Sequence, residues 1–341
     1  MLKVGLCGIG FMGRAHLDQY LRLEAEGVPV RVTALCDVDE KKFRGIFFEG
    51  NLDVGQAKYD FSRYRIYTDY DEMLEKETLD VVDICLPTDL HPEAAIKALK
   101  RGLHVLCEKP MALTTAECER MIAAAKESGR ELMIAQCLRF WPHYVLLKEF
   151  VDRGTFGAVT GAYFFRGGGT PRWSHRNWMM QRERSGGCIL DQHIHDVDLV
   201  QWLFGMPEAV STSARVVIPG SGYDIVSTNY MYPDGKVVNT QGDWTLNGEF
   251  GFTMSYRVNF EKGCLVFENG TVRVYPSDGK GYVADVPDGT GHYYEIRYFV
   301  ESLLEGRPMD IATPESTKET IRLAEAEIAS ADRGGALVKL S

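Results

Sequence analysis

The chain has 341 residues, 45% of them hydrophobic and 25% charged, the balance of a soluble globular protein long enough to build two cores. Its 38 basic and 48 acidic residues give a net charge of −10 with no basic stripe, which argues against nucleic acid as the main partner and favours a small molecule. No apolar run reaches the ~20 residues of a membrane span, and the opening LKVGLCGIG reads as a strand rather than a leader, so a cytoplasmic protein without a membrane partner is expected.

In chain order, the first 137 residues alternate strand and helix patterns, as in a doubly wound parallel sheet. Strands are predicted at Lys3–Cys7, Arg31–Cys36, Val81–Leu86, His104–Cys107 and Leu132–Gln136. Helices are predicted over Gly13–Ala25, Pro92–Arg101 and Thr114–Ser128, the last capped by Thr114 or Thr115 and stopped by Gly129. After RFWPHY the character changes. A helix over Pro142–Arg153 precedes runs such as STSARVVI, SYRVNF and TVRVYP, where apolar and polar residues alternate. PDG, between Tyr232 and Lys236, supplies hairpin chemistry. Such strands suit a large open, mainly antiparallel sheet whose free face can join subunits, so a homo-oligomer is expected. The last ~50 residues return to helical periodicity. Eight cysteines without CxxC spacing read as apolar fillers in a reducing compartment.

The stretch VGLCGIGFMG carries Gly8, Gly10 and Gly13 between a predicted strand and a predicted helix. A dinucleotide-binding turn also needs an acid at the end of the next strand for the ribose hydroxyls, and Asp37 closes RVTALCD. Glycine permits the tight turn at 8, the approach of the pyrophosphate at 10, where Phe11 and Met12 follow, and helix–strand packing at 13. Asp37 repels a 2′-phosphate, so NAD is preferred. Lys41 and Lys42 leave NADP as the alternative.

Two segments concentrate ionisable residues where a doubly wound fold directs them toward its cleft. CEKP places Glu108 and Lys109 at the carboxyl end of a strand, next to where a nicotinamide is expected. GGCILDQHIHD opens a helix predicted from Leu190 to Phe204, with Asp191 and His195 four residues apart on one face and Asp198 and Trp202 continuing the stripe. Leu190, Ile194, Val197 and Val200 form the apolar stripe. In such a helix His193 points away from Asp191.

Gly8, Gly10 and Gly13, LPTDLH (86–91), EKP (108–110), RFWP (139–142) and Asp191 with His195 after Gly186–Gly187 stand in an order that resembles the glucose–fructose oxidoreductase and inositol dehydrogenase (Gfo/Idh/MocA) family over nearly the whole chain. The resemblance implies an α/β plus α+β protein. Residues 1–137 would form a Rossmann NAD(P)-binding domain. Residues 138–341 would form a substrate-binding and oligomerisation domain with a large open, mainly antiparallel sheet and helices on one face. It implies NAD(P)-dependent hydride transfer at a hydroxyl or carbonyl carbon of a sugar, an inositol-like polyol or a sugar derivative, and the open sheet leads us to expect a homodimer or homotetramer.

Carried over residue by residue, Lys109, Asp191 and His195 match the family's catalytic lysine, aspartate and histidine, and Pro110 matches a proline after a cis bond. His195 is the natural base for the hydroxyl proton, Lys109 would stabilise developing alkoxide charge, and Asp191 would orient the pair. Cofactor contacts are implied for Pro87, Thr88, His91 and Glu108 besides the turn, Asp37 and Lys109. His91 reads equally as a cap for the helix at Pro92, and Glu108 as a brace for its loop. Arg139, Arg166, Trp173 and Trp178 suit a sugar pocket or a structural role. His193 stands where many relatives have glycine, and either meets substrate or hydrogen-bonds within the domain.

Three other readings compete. An NAD-dependent, redox-neutral glycosidase would turn over substrate with no net NADH, and a noncatalytic NAD-binding protein would keep only the turn. A metal-dependent hydrolase using Asp191, His193 and His195 is remote, because a His-x-His pair ligates from a strand whereas the periodicity here is helical. No metal is expected.

Overall fold

A computed structural model describes residues 1–44, 59–247 and 249–340. The described residues form two compact units: Met1–Cys137 with Trp173–Trp178 and His292–Lys318, and Leu138–Arg172 with Met179–Gly291 and Glu319–Ser341.

The first unit contains β1 (Leu2–Cys7), α1 (Phe11–Ala25), β2 (Val30–Cys36), β3 (Arg65–Tyr67), α2 (Tyr70–Lys76), β4 (Val81–Ile84), α3 (His91–Lys100), β5 (His104–Glu108), α4 (Thr115–Ser128) and β6 (Leu132–Ala135). The strands pair in parallel in the order β3-β2-β1-β4-β5-β6. Val4, Leu6, Val82, Ile84, Val105, Leu106 and Ile134 are fully or almost fully buried, which explains their unbroken apolar runs. Strand order reverses between β1 and β4, and ligands of open α/β sheets bind outside the carboxyl ends at such a reversal. On α4 the cap is Thr114, whose hydroxyl accepts from Glu117 N while Glu117 accepts from Thr114 N, and Gly129 ends the helix at φ 63°.

The second unit begins with α5 (Pro142–Arg153), β7 (Val159–Gly167), α6 (Arg182–Ser185), α7 (Gly187–Asp191) and α8 (Ile194–Phe204). It continues through β8 (Ala209–Arg215), β9 (Ile225–Met231), β10 (Val237–Asp243), β11 (Thr253–Phe260), β12 (Gly263–Glu268), β13 (Thr271–Pro276) and β14 (Tyr282–Val283). After α9 (Gly291–Glu305), which belongs almost wholly to the first unit, α10 (Pro314–Ala331) leads to β15 (Val338–Lys339). The nine-stranded sheet runs β14-β13-β12-β11-β7-β10-β9-β8-β15, antiparallel except for the central β7–β10 pair. Gly235 makes the expected β9–β10 turn at φ 75°. On one face of the sheet, Tyr144 of α5 meets Tyr256 at 5.4 Å and Phe267 at 5.6 Å between ring centroids.

Beyond residue 137, Trp173–Trp178 and His292–Lys318 belong to the first unit. The physical reason lies in α9: Ile296, Phe299 and Val300 are buried, Tyr293 donates to Glu26 at 2.7 Å, and Arg22 stacks on the Tyr293 ring at 3.8 Å. All eight cysteines are free. Among the described residues no helix is long and apolar enough to cross a membrane.

Candidate functional site

At the end of β1 the chain turns through Gly8 at φ 90°, where a Cβ would stand 2.3 Å from the Cys85 carbonyl. A Cβ on Gly13 would stand 1.9 Å from Gly8 O, so the first turn of α1 packs directly on the strand end. Gly10 differs: a Cβ there meets nothing within 4 Å. It is also the N-cap of α1, with no capping side chain and no acid in the first turn. Unsatisfied amides at a helix start, with the positive end of its dipole, suit a pyrophosphate, and Gly10 leaves the space for its approach. Phe11 and Met12 are half-buried beside it.

Asp37, just after β2, is fixed against this turn, its Oδ2 accepting from Ile9 N at 2.7 Å and its Oδ1 from Asp39 N at 2.9 Å. Lys42 is buried, and its Nζ lies 2.7 Å from Asp37 Oδ2. The chain therefore supplies the parts an NAD site requires: the glycine turn, the open helix start and the acid for the ribose. Pro87 and Thr88 follow β4 in a short 3-10 turn, Thr88 buried and Pro87 half-buried.

Glu108 ends β5, and its Oε2 accepts the Lys109 N–H at 2.9 Å. The Lys109–Pro110 bond is cis. His91 is buried between the end of β4 and the turn after β5, with Nδ1 2.9 Å from Pro110 O and Nε2 2.8 Å from Leu86 O, and its neutral ring donates its single N–H to one of these carbonyls. Burial drives its pKa below the ordinary 6.5, against the pull of both carbonyls. His91 thus braces the loop that carries Lys109.

Sequence reasoning passed over His16 and Asp83. His16, on α1, has Nδ1 2.9 Å from Asp83 and Nε2 3.1 Å from Glu108, all three buried. The signal was a lone acid inside the apolar run VVDIC and a histidine on the buried face of α1. Burial opposes charge on His16, but the Asp83 carboxylate outweighs it and holds its pKa well above 6.5. Burial likewise works against the Glu108 carboxylate, yet the hydrogen bond from His16 and the charges of His16 and Lys109 bring its pKa below 4.5. His16 also shares two potential metal-ligand groups, with Asp83 and Cys85 and with His292 and Glu295. An imidazolium whose two N–H groups face carboxylates offers no lone pair, so the chemistry of the set is that of an ion-pair network.

In the second unit the predicted continuous helix from Leu190 to Phe204 is broken. α7 ends at Asp191, and α8 starts at Ile194. Between them the Cys188 carbonyl accepts from both Gln192 N at 3.0 Å and His193 N at 2.8 Å, a widened turn that shifts the register of Asp191 against His195. Gln192 holds this turn by donating to Arg166 O at 3.0 Å and Asp243 O at 3.2 Å. Asp191 is buried and His195 half-buried.

The proposed sugar-contacting side chains are largely engaged elsewhere. Arg139 donates from Nε and Nη2 to Asp198 at 2.8 and 2.7 Å, and Arg166 pairs with Asp196 at 3.0 and 3.1 Å. All four are buried, because α8 is enclosed and its two inward acids need cations. His193 points into the interior, not toward solvent. Its Nε2 is 3.2 Å from Thr240 Oγ1 and 3.1 Å from Glu327, and Glu327 and Thr240 both bond Tyr230. Gly242 makes the room, since a Cβ there would lie 2.8 Å from His193 Nδ1. Gly242 of β10 thus opens the space that the His193 ring fills. Asp191, His193 and His195 do not converge as a metal-ligand group. Trp173 and Trp178 are half-buried and belong to the first unit.

Residues 2–136 match the family model described as "Oxidoreductase family, NAD-binding Rossmann fold", and residues 144–266 match the GFO/IDH/MocA C-terminal domain. A 2,7-anhydro-N-acetylneuraminate hydratase of Mediterraneibacter gnavus is 32% identical over 68% of this chain and 58% of its own length. An inositol 2-dehydrogenase of Salmonella typhimurium is 29% identical over 59% of this chain and 54% of its own length. The matches thus span less than two thirds of these relatives. Among solved structures, levoglucosan dehydrogenase in complex with NADH and levoglucosan superposes with a TM-score of 0.84 over 99% of both chains at 21% identity, a likeness of fold.

Proposed function

Because the chain belongs to the Gfo/Idh/MocA family of NAD-binding oxidoreductases, we propose that it transfers hydride between NAD and a hydroxyl or carbonyl carbon of a sugar, an inositol-like polyol or a sugar derivative. The observation that carries this reading is the fixing of Lys109. It sits at the carboxyl end of β5 in the NAD-binding sheet, its N–H held by Glu108 and the following Pro110 carbonyl 2.9 Å from the buried His91 ring. NAD, when bound, supplies the hydride acceptor. His195 takes the hydroxyl proton, Lys109 stabilises the alkoxide as its charge develops, and Asp191 orients them. The buried arginine pairs leave polyol recognition to other side chains.

A redox-neutral reaction is the second reading, favoured by the relative named as a hydratase. There the hydride returns to the same substrate and no NADH accumulates. The test follows NADH absorbance and product formation together, with inositols, aldoses, sugar acids and anhydrosugars, for the parent protein and Lys109→Met. NADH formation lost by about 10²–10⁴-fold in the variant supports the dehydrogenase. Product with catalytic NAD and no net NADH supports the second reading. Neither, despite NADH binding, leaves a binding protein. We further propose a homodimer or homotetramer through the uncovered face of the nine-stranded sheet, which light scattering on the eluting protein tests.

A further inference from the structure

We propose that His16 is a positioning residue for Lys109, acting through Glu108. The proposal rests on the reading of Lys109 as catalytic. A neutral imidazole has one N–H, but the two nitrogens of His16 face two carboxylates, Asp83 at 2.9 Å and Glu108 at 3.1 Å. Only the imidazolium can donate to both. Glu108 is then held by one oxygen on His16 and offers the other to Lys109 N at 2.9 Å. The chain of contacts joins β4, α1 and β5 in the first unit, so the helix that opens at Gly10 and the strand that delivers Lys109 share one buried ring.

The surroundings favour this arrangement over a loose ion pair. Cys85 Sγ lies 3.5 Å from His16 Nδ1, and burial pushes its thiol up, so it stays protonated. Tyr20 faces Asp83 from the same helix, its hydroxyl kept neutral by burial and the carboxylate. From α9, the His292 ring stands 6.3 Å from that of His16, and burial raises the pKa of Glu295. Burying two carboxylates without His16 would leave charges unpaired, which proteins avoid at a cost of several kcal/mol. The charges of His16 and Lys109 both act on the Glu108 carboxylate.

The test uses NADH-bound protein labelled with ¹⁵N-lysine, the Lys109 amide being identified by its loss in Lys109→Met. In the parent this amide is expected downfield and slow to exchange. His16→Asn is expected to move it upfield and speed its exchange at least tenfold, with the NADH Kd unchanged within threefold. Glu108→Gln is expected to move the amide and speed its exchange in the same way, and the double variant no more. On any compound turned over, His16→Asn is expected to lower kcat at least tenfold at constant KM, and to lower it no further in the Lys109→Met background. An unchanged Lys109 amide in His16→Asn, or multiplicative effects on kcat, overturns the proposal. Should His16→Asn not fold, His16→Gln carries the same comparison. The amide readout needs no substrate. If Lys109→Met keeps full turnover, the catalytic reading of Lys109 fails while the amide result still reports the contact.

Discussion

Lys42 Nζ lies 2.7 Å from Asp37 Oδ2, so the carboxylate at the end of β2 is paired with a buried cation from the turn that follows it. The Oδ2 atom also takes the Ile9 N–H, which leaves Oδ1 the less occupied oxygen for a ribose hydroxyl. Asp37→Ser removes the charge that repels a 2′-phosphate and frees Lys42 to meet one. NADH affinity should fall about tenfold, ~1.4 kcal/mol, while NADPH gains, so the ratio of the two Kd values narrows at least tenfold. Lys42→Met should widen it. Fluorescence titration with NADH and NADPH measures both, and an unchanged ratio in Asp37→Ser would refute the assignment of the acid to cofactor choice.

Gly10 and Gly13 separate binding from folding. Alanine at 10 places its Cβ in open space, so stability should stay within about 0.5 kcal/mol while NADH binding weakens at least tenfold, because the methyl occupies the approach to the amides of α1. Alanine at 13 drives its Cβ into the Gly8 carbonyl, backbone against backbone. That variant should lose at least about 1–3 kcal/mol. Thermal melts beside NADH titrations distinguish them. A Gly10→Ala protein that binds NADH normally would place the pyrophosphate elsewhere.

Much of this was legible because it repeats with a period. Five strands of the first unit announce themselves as apolar runs, β8, β11 and β13 as alternation, and the glycine turn as three residues between a strand and a helix, whereas β3, three residues long and largely exposed, leaves no such signal. What escaped depends on partners distant in sequence. Nothing near Arg139 or Arg166 shows that Asp198 and Asp196 will claim them, and nothing near His193 shows Gly242 opening a place for it. The widened turn at Gln192–His193 was invisible for the same reason: it is held by carbonyls of Arg166 and Asp243 on the sheet. The α9 return follows from contacts with Glu26 and Arg22, which periodicity does not record.

The Arg139–Asp198 pair should act on stability before it acts on substrate. Both side chains are buried, and Thr320 adds a hydrogen bond to Asp198 at 2.8 Å. Arg139→Ala leaves Asp198 charged and unpaired, a loss of about 3–5 kcal/mol. Replacing both partners, Arg139→Met with Asp198→Leu, should recover most of that loss. Chemical denaturation reads the two effects. If Arg139→Ala instead keeps full stability and raises only KM, the arginine faces substrate rather than the helix.

The buried ring around His16 gives stability a specific pH dependence. His16 has a raised native pKa, so its contribution is full below its ordinary 6.5, declines above that value and vanishes once pH passes the native one. Glu108 has a lowered native pKa, so its contribution is full above its ordinary 4.5 and is lost as pH falls through the native value. Between these two ordinary values both groups contribute fully. The difference in stability between the parent and His16→Asn should therefore be largest near that interval and shrink toward alkaline pH, since groups distant from His16 cancel in the difference. Denaturation of both from about pH 5.5 to about pH 9 measures it. A difference that grows with pH would mean that His16 is buried neutral and that Asp83 and Glu108 share the proton between them.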